Sequence, residues 1–148
     1  MDLKDAVQRL GAILKTTPAR LEAIGDAGSQ VRPTADKWSK KQILGHLIDS
    51  ASNNHQRFVR VQHETAISLP GYAQSLWVDS QGYQEENWSD LVQLWRCYNL
   101  HLLHLISRIP PEKLANTCAV GGDQPVTLEF LAMDYVRHME HHLHQILG

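Results

Sequence analysis

A chain of 148 residues that is 43% apolar and 20% charged has the size and composition of one globular domain with its own core, which we predict over residues 1–148. A net charge of −2 argues against a nucleic-acid-binding protein, because such domains are strongly basic. The two cysteines lack CxxC spacing, no apolar signal sequence opens the chain, and no apolar stretch approaches 18 residues. These features predict a cytoplasmic protein that is neither exported nor inserted in a membrane.

The first predicted helix begins near Leu3, where apolar residues start to recur at helical spacing. Pro18 is expected to interrupt it, with Thr17 as the N-cap of a short continuation. Gly25 and Gly28 are expected to end that continuation.

Three further amphipathic helices are predicted. The second lies within WSKKQILGHLIDSASNNHQRFVR and opens on a capping box of Ser39 and Gln42. The third runs from about Trp88 to Arg108, and the fourth runs from near Pro125 to the end of the chain. No segment alternates as a strand does. We therefore predict an all-α, four-helix bundle.

The linker between the second and third helices, residues 61–87, is long. A connection of that length can cross the bundle, so that simple up-down-up-down order is not required, or it can cover one end of the bundle as a lid.

The tail DYVRHMEHHLHQILG is rich in histidine. Helical geometry separates the histidines on the edge of the apolar face from those on the solvent side. If angles around the helix axis are measured from His138, His142 lies at about +40°, on the same edge of the apolar face. His141 and His144 lie at about −60° and −120°, on the solvent side. Two histidines at i and i+4 can bind one metal ion, although such a pair is more often surface decoration.

A third ligand must then come from another helix. On the second helix, His46 lies at the edge of the apolar face, in a polar stripe completed by Ser50, Asn53 and Arg57 within about 40° of it. Packing of the second helix against the fourth would bring His46 to the His138 and His142 pair.

The other histidines show no such relation to an apolar edge. His55 and His63 have no matching partner in the sequence. His101 and His104 are expected on the solvated surface of the third helix, although His101 can reach a pocket rim.

Three segments resemble motifs of the DinB/YfiT-like superfamily. KWSKKQILGHLIDSASNNHQRF is similar to its second helix, ENWSDLVQLWRCYNLHLLHLISRIPPEKL to its third helix, and YVRHMEHHLHQI to its closing His-x-x-x-His motif. The likeness spans nearly the whole chain. One departure is the pair Leu143-His144, where many relatives have Arg-Gly.

The resemblance implies a four-helix bundle with a long crossover between helices 2 and 3. It also implies a divalent metal ion, nickel or zinc, held by His46, His138 and His142. Some relatives are transferases or isomerases that use low-molecular-weight thiols, and others have no assigned activity.

Three imidazoles leave a coordination position open for water or substrate. Zinc can lower the pKa of bound water to about 7, and a bound thiol would likewise be deprotonated. The expected function is therefore thiol S-transfer or hydrolysis of a small-molecule substrate, with S-transfer favoured. The alternatives are a non-catalytic metal-binding bundle and a purely structural or partner-binding bundle. A homodimer formed through exposed apolar strips is also expected.

Six polar residues are predicted to surround the metal or line its pocket: Asp49, Ser50, Asn53, Arg57, Asp134 and Gln145. Asp134 and Asp49, each one turn from a histidine, can orient imidazole N–H groups, although Asp134 can equally be a plain exposed acid. Arg57 can anchor an anionic substrate, with a surface salt bridge as the alternative. Gln145, at about −20° from His138, is expected to line the same pocket.

Overall fold

The computed structural model describes residues 1–148 and is dominated by four long helices. The elements in chain order are α1 (Leu3–Glu22), α2 (Gly25–Gln30), α3 (Lys40–Arg60), β1 (Ala66–Leu69), α4 (Gln74–Gln81), α5 (Trp88–Ser107), β2 (Thr117–Val120), β3 (Val126–Thr127) and α6 (Leu128–Leu147). The predicted four-helix bundle is confirmed. The prediction that the chain has no strands is wrong, because β1, β2 and β3 form a small sheet.

The long helices do not follow each other around the bundle. Helix α1 packs against α5 and α6, and α3 packs against the same two helices. Helices α1 and α3 are therefore diagonal to each other, as are α5 and α6. The buried apolar side chains form one cluster at the centre, with the rings of Trp88, Trp95 and Phe58 among the largest. No helix is both long enough and apolar enough to span a membrane.

Capping residues account for where two of the long helices begin. Ser39 and Gln42 exchange the predicted capping-box hydrogen bonds at the start of α3. Helix α6 begins at Leu128 rather than at Pro125, because the Thr127 side chain accepts a hydrogen bond from the Phe130 N–H.

The predicted break in the first helix is wrong. Helix α1 continues through Pro18, and Thr17 is buried inside it rather than capping a new helix. Proline removes one backbone hydrogen bond from a helix interior, but its fixed φ is compatible with helical geometry. Burial of Leu14 and Leu21 on either side of Pro18 holds the two halves in line. Gly28 is likewise no helix end, since it lies within α2.

The crossover between α3 and α5 is anchored at two places. Strand β1 pairs in parallel with β2, and β2 pairs antiparallel with β3, which leads directly into α6. Further along, the Tyr83 ring packs against Gly45 of α3, where an added Cβ would lie 2.2 Å from the ring. The crossover is therefore attached directly to α3 and, through β2 and β3, to α6, which are the two helices that carry the predicted ligands.

Candidate metal centre

Three histidines from two helices converge at one point. His46 is contributed by α3, and His138 and His142 are contributed by successive turns of α6. One ring nitrogen from each residue lies within 4.8 Å of the other two, and Nε2 of His46 is 3.1 Å from Nε2 of His138. This arrangement brings together the three residues selected from helical spacing.

The donor set fits a divalent transition-metal ion. Two nitrogens that share a tetrahedral zinc ion at about 2.1 Å lie about 3.4 Å apart, close to the observed separation of the two Nε2 atoms. Burial, and then the charges of neighbouring histidines, lowers the pKa of His46 and of His138 to about 4. Burial also lowers the pKa of His142. The three imidazoles are therefore neutral at pH 7, as metal ligands must be.

Neighbouring side chains fix two of the three rings. Gln145 Oε1 lies 2.8 Å from Nδ1 of His142, so that Nδ1 carries the hydrogen and Nε2 is left to bind an ion. The Trp38 ring packs against the His46 ring with a centroid separation of 5.2 Å. Nδ1 of His46 is buried and has no hydrogen-bond partner.

Asp49 is buried one turn from His46, but it does not orient that ring by a hydrogen bond. Its Oδ1 accepts hydrogen bonds from Tyr83 Oη at 2.7 Å and from Gln81 Nε2 at 2.8 Å. Burial raises the pKa of the Asp49 carboxyl, and these hydrogen bonds oppose the rise. Its observed role is to hold the crossover onto α3.

The predicted role of Asp134 in orienting a ligand imidazole is not observed. The carboxylate is exposed and lies 3.7 Å from the Arg137 guanidinium, one turn further along α6. Its negative charge acts on His138 only through space, where it opposes the fall in pKa caused by burial. The alternative interpretation of Asp134 as an exposed acid describes the structure.

A cavity of about 370 Å³, which we call the Arg57 cavity, opens beside His138. Its polar lining includes Ser50, Asn54, Arg57, Tyr72, Asp123, Asp134 and His138. Arg57 is half-buried and forms no salt bridge; its nearest polar partner is Asn54 Oδ1 at 3.5 Å. Burial lowers the pKa of its guanidinium, which nevertheless stays charged at pH 7. Asn53 lies outside this cavity and donates to the Asp49 carbonyl.

A second cavity, of about 520 Å³, opens beside His142, and we call it the Trp38 cavity. Its lining includes Trp38, Lys37, Asp36 and Gln145, and it shares no residue with the Arg57 cavity. The histidine cluster is therefore bordered by two separate cavities, one at His138 and one at His142.

Two aromatic residues of the site were not predicted from sequence. Trp38 directly precedes the Ser39 N-cap, and its ring packs against His46, about two turns into α3. Tyr72 lies in the crossover, three residues after β1, and nothing in the sequence indicates that it lines the same cavity as Arg57.

Comparisons with known proteins agree with this fold. No curated protein sequence is significantly similar to the chain. The structure is similar to that of YfiT from Bacillus subtilis, with a TM-score of 0.85 and 20% sequence identity over 97% of this chain and 83% of that chain. That protein is described as a probable metal-dependent hydrolase with an unusual four-helix bundle topology. The sequence model of the DinB superfamily matches residues 9–146, and the chain therefore belongs to the DinB superfamily.

Proposed function

We propose that the chain is a metal-dependent enzyme in which His46, His138 and His142 hold one divalent ion, nickel or zinc. The observation that carries this proposal is the convergence of three neutral imidazoles within 4.8 Å at the border of two cavities. Structural zinc sites are closed by four protein ligands, whereas catalytic sites have three and keep one position open. A three-ligand site beside a cavity is the catalytic pattern.

The ion would supply Lewis acidity, which lowers the pKa of a water or thiol at its open position. The protein supplies the rest of the site. The three imidazoles hold the ion. Gln145 accepts a hydrogen bond from Nδ1 of His142, which leaves the lone pair of Nε2 free to bind the ion. The adjoining cavities hold the substrate and keep it in contact with the ion.

Hydrolysis of a small anionic substrate is the first candidate reaction. YfiT, which has the same fold, is described as a probable metal-dependent hydrolase. The Arg57 cavity, at about 370 Å³, is within the range of small-molecule sites. Arg57 has no carboxylate partner, so an anionic group on the substrate would complete its pairing in a half-buried position.

Transfer of a low-molecular-weight thiol to an electrophile is the second candidate reaction. A transfer reaction brings two substrates to one ion, and the histidine cluster is bordered by two cavities with no lining residue in common. The thiol and its electrophilic partner could therefore reach the ion from different sides.

The proposal is tested with untagged protein purified without a nickel column and reconstituted with zinc or nickel. Wild type is expected to hold one tightly bound equivalent that His142→Ala loses. His144→Ala is the matched control, because this histidine is exposed two residues further along the same helix. Activity is measured on anionic and neutral esters and amides, and on electrophiles with and without small thiols.

The expected result is turnover that His142→Ala abolishes and His144→Ala retains. Ester or amide cleavage without thiol supports hydrolysis, and electrophile consumption that requires thiol supports S-transfer. Equal activity of wild type and His142→Ala would reject a metal-centred mechanism.

A further inference from the structure

A second group of histidines lies where α3 and α5 pack together, apart from the metal centre. His55 of α3 is nine residues beyond His46, or about 13 Å along the helix axis. Its ring faces His101 of α5, with a centroid separation of 5.4 Å and an angle of 76° between the ring planes. The expectation that His55 has no partner is therefore wrong.

The geometry of this pair resembles that of the metal centre. The three ring pairs among His46, His138 and His142 have centroid separations of 4.6–5.0 Å and interplanar angles of 74–80°. With metal–nitrogen bonds of about 2.1 Å, two imidazoles that share a tetrahedral ion place their centroids about 5.2 Å apart. The centroid separation of the His55 and His101 rings, 5.4 Å, is thus close to the separation of two imidazoles that share one ion.

A neighbouring hydroxyl holds the His55 ring. Tyr98 Oη lies 2.8 Å from Nδ1 of His55, and Tyr98 is one turn before His101 on α5. In the tautomer that binds a metal through Nε2, the Nδ1–H donates to Tyr98 Oη. This is the same arrangement as that of Gln145 at Nδ1 of His142, also at 2.8 Å.

We propose that His55 and His101 form a second divalent-metal site, in which water completes the coordination. An all-imidazole donor set suits copper, nickel or zinc, whereas magnesium and calcium prefer oxygen ligands. His101 is exposed and His55 is half-buried, so that an ion can enter from solvent without rearrangement of the core. With two protein ligands rather than three, the site binds more weakly than the metal centre.

His104 provides a matched control on the same helix. It lies one turn beyond His101, with a centroid separation of 6.5 Å and an angle of only 30° between the ring planes. This separation is larger than the distance of about 5.2 Å at which two imidazoles share a tetrahedral ion. His104 is exposed, as His101 is, so both substitutions remove a surface imidazole from α5.

The test is equilibrium dialysis of untagged protein against Ni²⁺, with bound metal measured by elemental analysis. Wild type is expected to bind a second, weaker equivalent, which His55→Gln and His101→Gln each lose and His104→Gln retains. In a His142→Ala background this weaker equivalent should persist, because it does not depend on the metal centre. Copper(II) bound in that background should show coupling to two imidazole nitrogens in its electron paramagnetic resonance spectrum.

The outcomes separate this inference from the proposed function. One outcome is that wild type binds no tight equivalent but does bind nickel in a way that requires His101 and not His142. This outcome would support the site at His55 and His101 and reject the metal centre. If no equivalent depends on His55 and His101, the inference is overturned. It is also overturned if the weaker equivalent is lost in His104→Gln, or only when the exposed His141 and His144 are both replaced.

Discussion

The contact between Gln145 and His142 determines which nitrogen of that ring is available. The Gln145 carbonyl oxygen can only accept a hydrogen bond, and its amide nitrogen faces Nε2 of His141 at 3.4 Å. Nδ1 of His142 must therefore carry the hydrogen. An exposed glutamine thus performs the orienting role that sequence alone suggested for an aspartate.

Gln145→Ala is expected to lower affinity for zinc by about 10- to 100-fold, because the His142 ring loses the partner that fixes its tautomer and orientation. Gln145→Glu is the control, since a carboxylate also accepts a hydrogen bond from Nδ1. Competition with a chromophoric chelator measures the affinity. Equal affinity of Gln145→Ala and wild type would show that the contact is incidental.

At the scale of elements, α3 and the crossover meet through a glycine. Gly45 directly precedes His46, and the Tyr83 ring occupies the space that a side chain at position 45 would need. Tyr83 also donates its hydroxyl to Asp49, one turn further along α3. The absence of one side chain therefore allows the crossover to dock beside a candidate ligand.

Gly45→Ala is expected to destabilise the fold by about 1–3 kcal/mol through overpacking, although alanine favours a helix by about 1 kcal/mol. Gly11→Ala in α1 is the matched control, because an added Cβ there would meet only Leu103 Cδ2, at 3.9 Å. That control should be neutral or stabilising. Urea denaturation measures both changes, and similar effects of the two substitutions would contradict the close packing of Tyr83.

For the whole molecule, the buried histidines make stability depend on pH. Burial lowers the pKa of His46 and His138 to about 4, below the ordinary value of 6.5. Between these pH values the unfolded chain binds protons that the folded protein does not, so acid favours unfolding. The stability that the neutral forms of His46 and His138 contribute is fully present above pH 6.5, and this contribution is lost as pH falls toward 4.

Metal-free wild type is expected to lose up to about 1.4 kcal/mol of unfolding free energy per pH unit for each of these histidines in that window. The loss is smaller for His138, because solvent screens its half-exposed ring. Urea denaturation at pH 7, 5.5 and 4.5 measures it, and His138→Gln should show a shallower decline. Identical declines in the two proteins would contradict a depressed pKa at His138.

Helical periodicity predicted the bundle and placed each of the three histidines at the edge of an apolar face, because both depend on positions around a helix axis. His138 and His142 share a face wherever the neighbouring helices lie, and the polar stripe around His46 is equally local. The sheet could not be predicted in this way, because β1 and β2 are four-residue strands about fifty residues apart. The orientations of Asp49 and Asp134 depend on rotamers and on the path of the crossover, neither of which spacing contains.

The same dependence on tertiary packing explains the error at Pro18. The local preference for a break is opposed by burial of apolar side chains on both sides of the proline, and burial prevails. His55 was misjudged for a similar reason, since its neighbours His101 and Tyr98 come from a helix that its own periodicity cannot place.

The crossover has two attachments, and each lies next to a different part of the histidine set. Its β1 end is joined through β2 and β3 to the helix of His138 and His142, while its Tyr83 end is fastened beside His46. A displacement of this single segment would therefore act both on the surroundings of His46 and on the helix that carries His138 and His142. The same segment carries Tyr72, which lines the Arg57 cavity, so the shape of that cavity and the spacing of the three histidines depend on how one stretch of chain is attached.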